Sequence, residues 1–371
     1  MSATEPEPTH DRDRDVVIVG GGPAGCSAAV FCAREGLDTV VFDRGRSSLS
    51  HCAHLENYLG FPAGIDVETL YDLLHAHAET AGSEVVPDLV ESVDRADDGE
   101  GFVVAPQEGD PVTARRVIAA TRYDGEYLRG LDDDAAMFET YEHGGEEREQ
   151  FDSEYADRDG TTPVDGLYVA SPSTEADTQA IMAAGRGARV AHRVIADARI
   201  DDGWWEGVAD GVDWVRREAE LGDEWADRDR WVEWFDDYYG DDAPVDPDSE
   251  RYRRVRAAAI DDSLSSYISP DEIDERAAEG QAALIERLDP ARVVDAVDAE
   301  TLLEHVDDEL IREHAREVDA SEAGSYPWRP GPHRTPTRPT ASSGGSTGST
   351  GRCSRSVSGA SPSSSAPGSS R

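Results

Sequence analysis

The chain contains no lysine, so its 35 basic residues are all arginine, set against 79 aspartates and glutamates for a formal charge of −44. Such a balance excludes a protein built to neutralise nucleic-acid phosphates. It suits a surface of hydrated carboxylates in concentrated salt, where screening weakens their mutual repulsion. A salt-rich cytoplasm is the expected setting. No run of eighteen apolar residues occurs, and the N-terminus has neither a basic nor an apolar stretch, so no membrane span, membrane partner or export signal is expected. Cysteine is scarce. Cys26, Cys32, Cys52 and Cys353 form no C-x-x-C pair, which leaves no disulfide framework and no four-cysteine zinc site. Redox chemistry then has to come from a bound cofactor.

The hydrophobic material is concentrated between Asp15 and Ile200, where short Val/Ile runs alternate with Ala-rich helical stretches. We expect a disordered N-terminus over 1–14 and an α/β domain over 15–200. From 201 to 320 the β-branched runs disappear, and Trp, Leu and Val recur at three- and four-residue spacing among acids and arginines, which predicts an all-helical acidic domain. One helix start is sharply marked there by Ser269, Pro270 and Glu272. Residues 321–371 are rich in Ser, Gly, Pro and Thr. Glu322 to Arg371 carry six arginines and one glutamate, and the segment has too little apolar surface to offset its ordering entropy. A disordered tail is expected, either a true interaction tail or translation out of frame.

Val16-Val17-Ile18-Val19 has the continuous apolarity of a buried parallel strand, and Gly20-Gly21-Gly22-Pro23-Ala24-Gly25 follows at once. Gly20 permits a tight turn, Gly22 lets backbone approach a diphosphate, and Gly25 lets the following helix pack closely on the strand. That helix would present free N–H groups to the phosphates. A second strand, Thr39 to Phe42, ends at Asp43, whose carboxylate can accept both hydroxyls of an adenosine ribose and would repel the 2′-phosphate of NADP. The residues therefore predict a Rossmann-like site for FAD or NAD.

The fingerprint, the block Leu55-Glu56-Asn57-Tyr58-Leu59-Gly60-Phe61-Pro62-Ala63-Gly64-Ile65 and the His/Ala-rich helix before Ser83 together resemble the FAD domain of the thioredoxin reductase family of two-dinucleotide-binding-domain flavoproteins. Two further blocks carry the likeness: Val117 to Arg122, similar to an Ala-Thr-Gly strand end with Arg122 in place of glycine, and Gly166 to Pro172 with Gln179 and Ala180. The resemblance covers about the first 195 residues. It implies FAD as cofactor, held by Gly20, Gly22, Pro23, Ala24, Gly25, Asp43, Asn57, Thr121, Ser171, Gln179 and Ala180. It also implies a parallel sheet with a small β-meander packed beside it, and it admits a homodimer. A helix starting near Thr178 would aim its N-terminus at the flavin edge where negative charge accumulates on reduction.

The departures bear on activity. In the family a nicotinamide domain with its own glycine fingerprint and a C-x-x-C pair sits between the third and fourth blocks. Only about 44 residues separate Thr121 from Asp165 here, with no cysteine and no second fingerprint among them. We therefore expect an FAD-dependent oxidoreductase that uses an external electron donor and an unidentified small-molecule or protein acceptor. A non-catalytic FAD- or NAD-binding module is the competing expectation. The ribityl-binding aspartate of the family is replaced by Ser171-Pro172, so the hydroxyl of Ser171 or Ser173 would have to substitute. Cys52, flanked by His51 and His54, is the one cysteine expected near the flavin, either as a redox thiol or metal ligand or as a solvated loop residue. Cys26 and Cys32 read as small core side chains on the first helix. Six of the seven tryptophans lie between Trp204 and Trp234, as a helical core or as a stacking surface.

Overall fold

A computed structural model describes residues 12–324, apart from Arg46, residues 174–178, Val212, Asp223 and Asp242. The expected disorder of most of the tail and of residues 1–11, together with Thr178 and Cys353, therefore lies outside the described residues, whereas residues 12–14, also expected to be disordered, are held in place, Asp13 accepting the Thr113 N–H at 2.9 Å and Arg14 opening the first strand. Contacts gather the chain into two units, residues 1–298 and residues 299–371.

The first unit begins with β1 (Arg14–Val19), α1 (Pro23–Arg34), β2 (Thr39–Phe42), α2 (Val67–Thr80) and β3 (Glu84–Val86). An antiparallel arm follows, formed by β4 (Val90–Arg95), β5 (Phe102–Pro106) and β6 (Val112–Ala119). A hairpin of β7 (Phe138–His143) and β8 (Glu146–Phe151), turning at Gly144-Gly145, precedes β9 (Leu167–Val169) and the long helix α3 (Ala180–Asp201).

The central sheet runs β3-β2-β1-β6-β5-β4, with β9 also on β6. Side chains alternate across a strand, so a strand that is apolar throughout must be covered on both faces. Val17, Val19, Val40, Phe42, Val117 and Val169 face one core with Phe102, Val104, Phe138 and Phe151. Val16, Ile18, Val41, Ile118 and Tyr168 face the other, which includes Ala24 and Ala28 of α1 and Val190 and Val194 of α3.

The meander is not a separate sheet beside the main one, as the sequence suggested. Strand β6 serves both: residues 112–114 pair antiparallel with β5, while residues 117–119 pair parallel with β9, and β1 lies along its other edge. Chain order thus reverses between β1 and β6, and the carboxyl ends of strands at such a switch point are where open α/β sheets take their ligands.

After α3 the same unit continues through α4 (Arg228–Tyr239), α5 (Glu250–Ser265), α6 (Pro270–Ile285) and α7 (Pro290–Ala296). Trp205, Trp231, Phe235, Tyr252, Val255 and Ile260 form its core, with Trp205 stacked on Tyr252 at 5.6 Å. The expected cap is in place, Ser269 Oγ accepting the Glu272 N–H at 3.2 Å with Pro270 in the first turn. The segment is not purely helical, since Arg216–Arg217 pairs in parallel with Tyr267–Ile268. Arg199 of α3 ties it to the sheet domain by ion pairs to Glu35 at 2.7 Å and Asp262 at 3.0 Å.

In the second unit the described residues form α8 (Ala299–His305) and α9 (Asp308–Gly324). Helix α9 continues to Gly324, so residues 321–324, expected to open a disordered tail, are helical.

Candidate functional site

The turn after β1 is fixed by Gly20, whose φ of +108° only glycine adopts without strain, and whose N–H donates to the Phe42 carbonyl at 2.8 Å. A Cβ there would lie 2.7 Å from the Ala120 carbonyl oxygen, so the loop sits directly on the end of β6. Gly25 is close-packed: a Cβ would penetrate the Gly20 carbonyl. Gly22 differs, because its Cβ would meet only Ser47 Oγ at 3.1 Å. This open edge is the one expected to receive a diphosphate.

Gly22 is the N-cap of α1, with Pro23 at its start, no side chain capping it and no acid in its first turn. Helix α3 begins the same way at Gln179, again with no side-chain cap and no acid in the first turn. By contrast α2, α4, α5, α6 and α7 are each capped by a side chain, from Asp66, Asp227, Ser249, Ser269 and Asp289. First-turn N–H groups left without a side-chain acceptor carry partial positive charge. The two bare ends belong to helices packed face to face, since a Cβ on Gly187 of α3 would penetrate the Ala24 carbonyl of α1. Two uncapped helix ends are the donor set that a diphosphate and the flavin edge where negative charge accumulates require. The residues present therefore accommodate FAD.

The separate sequence blocks converge here. Asn57 Nδ2 donates to Gln179 Oε1 at 2.7 Å, joining the second block to the fourth across 122 residues. The Arg122 N–H donates to the Ser171 carbonyl at 3.1 Å, joining the third to the fourth. Ala180 packs against a cluster that includes Leu49, Leu55, Ile65 and Leu70, beneath the Asn57 loop. The Thr121 hydroxyl is already used, donating to the Asp124 carbonyl and lying 3.0 Å from the Tyr127 hydroxyl.

Asp43 stands where the second strand ends, buried, but it is not free to take both ribose hydroxyls. Its Oδ2 accepts from the Tyr71 hydroxyl and lies 3.1 Å from His75 Nε2, while Oδ1 accepts the Gly45 N–H at 3.2 Å. A carboxylate offers about four acceptor positions, so about one remains for a ligand. Burial pushes the Asp43 carboxyl up, but the bonds from His75, Tyr71 and Gly45 outweigh it and hold it below the usual range. Asp43 and then Cys26 push the His75 imidazole up to about 10, leaving it charged at neutral pH. The imidazolium offsets the negative charge that, from sequence, was expected to repel a 2′-phosphate.

Tyr71, His75 and Gly21 were not singled out by the sequence. Gly21 is packed under the acid, with a Cβ position 2.6 Å from Asp43 Cβ, and its carbonyl receives both the Cys26 thiol and His75 Nε2 at 3.1 Å. The available signal was the i,i+4 spacing of Tyr71 and His75, which places both on one face of α2. Cys26 and Cys32 are buried as expected, and burial pushes the Cys32 thiol up to about 12. Cys52 is exposed in its loop with His51 and His54, and among the described residues no group of three His, Cys, Asp or Glu side chains could hold a metal. No helix of the described residues is long and apolar enough to cross a membrane.

Residues 15–199 match the family model of the FAD binding domain. A thioredoxin reductase of Streptomyces coelicolor is 38% identical over 111 residues, 29% of this chain and 34% of that protein. A bifunctional thioredoxin reductase/thioredoxin of Mycobacterium leprae is 36% identical over 123 residues, 32% of this chain and 26% of its own. The chain thus spans about a third or less of these relatives' length. A solved thioredoxin reductase from Gloeobacter violaceus aligns at 18% identity and a TM-score of 0.42, covering 55% of this chain and 98% of that one.

Proposed function

We propose, on the premise that residues 15–199 are a thioredoxin reductase-like FAD-binding domain, that the chain is an FAD-dependent oxidoreductase of reduced architecture whose electrons come from an external donor. The observation that carries the reading is the pair of uncapped helix ends, at Gly22 and Gln179, on two helices in close contact. Flavin, when bound, supplies the hydride or electron transfer. The chain's own contribution is positional and electrostatic. The α1 terminus and the open edge of Gly22 would hold the diphosphate. Asp43, steadied by Tyr71 and His75, would take one ribose hydroxyl. Asn57 and Gln179 would fix the start of α3, whose bare N–H groups favour negative charge at the flavin edge.

Between the third and fourth blocks, where a nicotinamide domain would enter, residues 138–151 form the β7–β8 hairpin, whose Phe138 and Phe151 return to the sheet core. About 44 residues are too few for a further nucleotide-binding domain. The donor and acceptor would then reach the flavin by diffusion or on a partner, the acidic helical segment 201–320 being an appendage to the flavin domain in a salt-adapted cytoplasmic protein.

The test is anaerobic spectroscopy of the FAD-loaded protein in molar KCl. NADH, NADPH and a reduced one-electron carrier protein are each added, with ferricyanide as artificial acceptor. Bleaching of the flavin band by one of the donors, with turnover on ferricyanide, is expected. A flavin that dithionite bleaches but none of these donors reduces would favour the non-catalytic module instead.

A further inference from the structure

At the far end of α3, about 30 Å from Gln179 at 1.5 Å per residue, lies a cavity of about 480 Å³. Five of the seven tryptophans line it: Trp204, Trp214, Trp225, Trp231 and Trp234. Rings gathered only to make a core would close on one another, because interiors pack with few voids larger than a water molecule. Here Trp205, Phe235 and Tyr252 do so, and among the lining rings Trp231 meets Trp225 and Trp234 edge to face at 5.2 and 5.8 Å, yet the packing stays incomplete. The lining rings leave an open volume in the range of small-molecule sites, and Trp214 at its mouth is 60% exposed.

Charge within the cavity is asymmetric. Arg216 is half-buried, its guanidinium 5.0 Å from the Trp214 ring and 5.7 Å from the Tyr267 ring, and it donates to the Tyr267 hydroxyl at 3.2 Å. It has no carboxylate partner among the described residues, in a chain where acids outnumber arginines more than two to one. The other lining cation, Arg199, is held by Glu35 and Asp262. The remaining lining carboxylates, Asp210 and Glu220, are exposed to solvent. The cavity therefore combines aromatic walls with one oriented guanidinium that has no carboxylate partner among the described residues.

We propose that this cavity is a second ligand site, separate from the flavin site, for a planar aromatic carboxylate: the ring stacks among the tryptophans and the carboxylate pairs with Arg216. Its ligand would act at a distance or mark a separate binding role.

Calorimetric titration of the FAD-loaded protein in molar KCl tests it with three probes of one shape: 2-naphthoate, 2-naphthylmethanol and 2-naphthylmethylamine. Saturable binding of 2-naphthoate, about tenfold or more tighter than the alcohol or the amine, is expected. Arg216→Gln should abolish that preference and leave the alcohol's affinity unchanged, and Trp214→Ala should weaken all three. Both variants should keep their FAD, which reports an intact fold. Absence of saturable binding in the unsubstituted protein, an amine that binds as tightly as the carboxylate, or an unchanged preference in Arg216→Gln would each overturn it. The three-probe comparison on the unsubstituted protein decides the matter even should a variant fail to fold.

Discussion

His75 Nε2 lies 3.1 Å from Asp43 Oδ2 and 3.1 Å from the Gly21 carbonyl oxygen, so one side chain of α2 ties the acid at the end of β2 to the glycine loop. The arrangement gives a pH dependence whose sign follows from the shifts. His75 ordinarily titrates near 6.5 and is pushed up to about 10, so its stabilisation is complete below the ordinary value and gone above the raised one. Asp43, held below its ordinary 3.8, contributes above that value and loses its contribution only as pH falls through the lowered one. The melting temperature in molar KCl should therefore fall as pH rises from 6.5 to 10. His75→Gln should cost roughly 1–2 kcal/mol at pH 6.5 and flatten the slope. An equal slope in both proteins would rule out His75 as its source.

Gly22→Val separates binding from folding. The added side chain projects toward Ser47 Oγ and otherwise into open space, so stability should change by less than about 1 kcal/mol. FAD affinity should fall by about a hundredfold or more, because backbone can no longer approach the diphosphate. Equilibrium dialysis with flavin absorbance checks this, and stoichiometric FAD on the variant would remove the assigned phosphate site.

Gly187→Ala is the reverse case. On an exposed helix face alanine would gain about 1 kcal/mol over glycine. Here its Cβ would penetrate the Ala24 carbonyl, and that backbone is held by the fingerprint loop. Separating α1 from α3 should cost about 2–3 kcal/mol, read by denaturant unfolding, with FAD retention falling in parallel. A neutral or stabilising substitution would mean that the two helices are not in close contact in solution.

How much of this was legible in sequence depended on how local the cause was. The fingerprint could be read because its spacing is local, the positive φ at Gly20 and the packing of Gly25 on the Gly20 carbonyl both being set within six residues, and the Ser269 cap because it spans three. That Asn57 and Gln179 serve one site was legible only through resemblance, and their hydrogen bond was not legible at all, since nothing in either neighbourhood specifies the other. The partners of Asp43 were hidden, because Tyr71 and His75 arrive from another helix 28 and 32 positions on, and His75 reads equally well as a solvated residue. The double membership of β6 was hidden too: Val117-Ile118-Ala119 reads as the buried end of a strand, but nothing in the run says that its two ends pair with different strands. Asp43 was assigned too much capacity for the same reason, since an acceptor count needs every donor in view.

Arg122 is the one described non-glycine residue at positive φ, +66°, and it occupies the place of a glycine in the family pattern. A side chain in the left-handed region costs about 1–2 kcal/mol, while the extra freedom of glycine in the unfolded chain costs about 0.5–1 kcal/mol. Arg122→Gly should therefore stabilise by about 0.5–1 kcal/mol net. Its N–H would still donate to the Ser171 carbonyl, so the join between the third and fourth blocks should persist. Arg122→Ala supplies the contrast, because it removes the guanidinium and keeps the strain, and should leave stability within about 0.5 kcal/mol of the parent. Thermal melts of the three proteins decide between the two origins. If alanine stabilised as much as glycine, the cost would lie in the arginine side chain, and the backbone account of this position would fail.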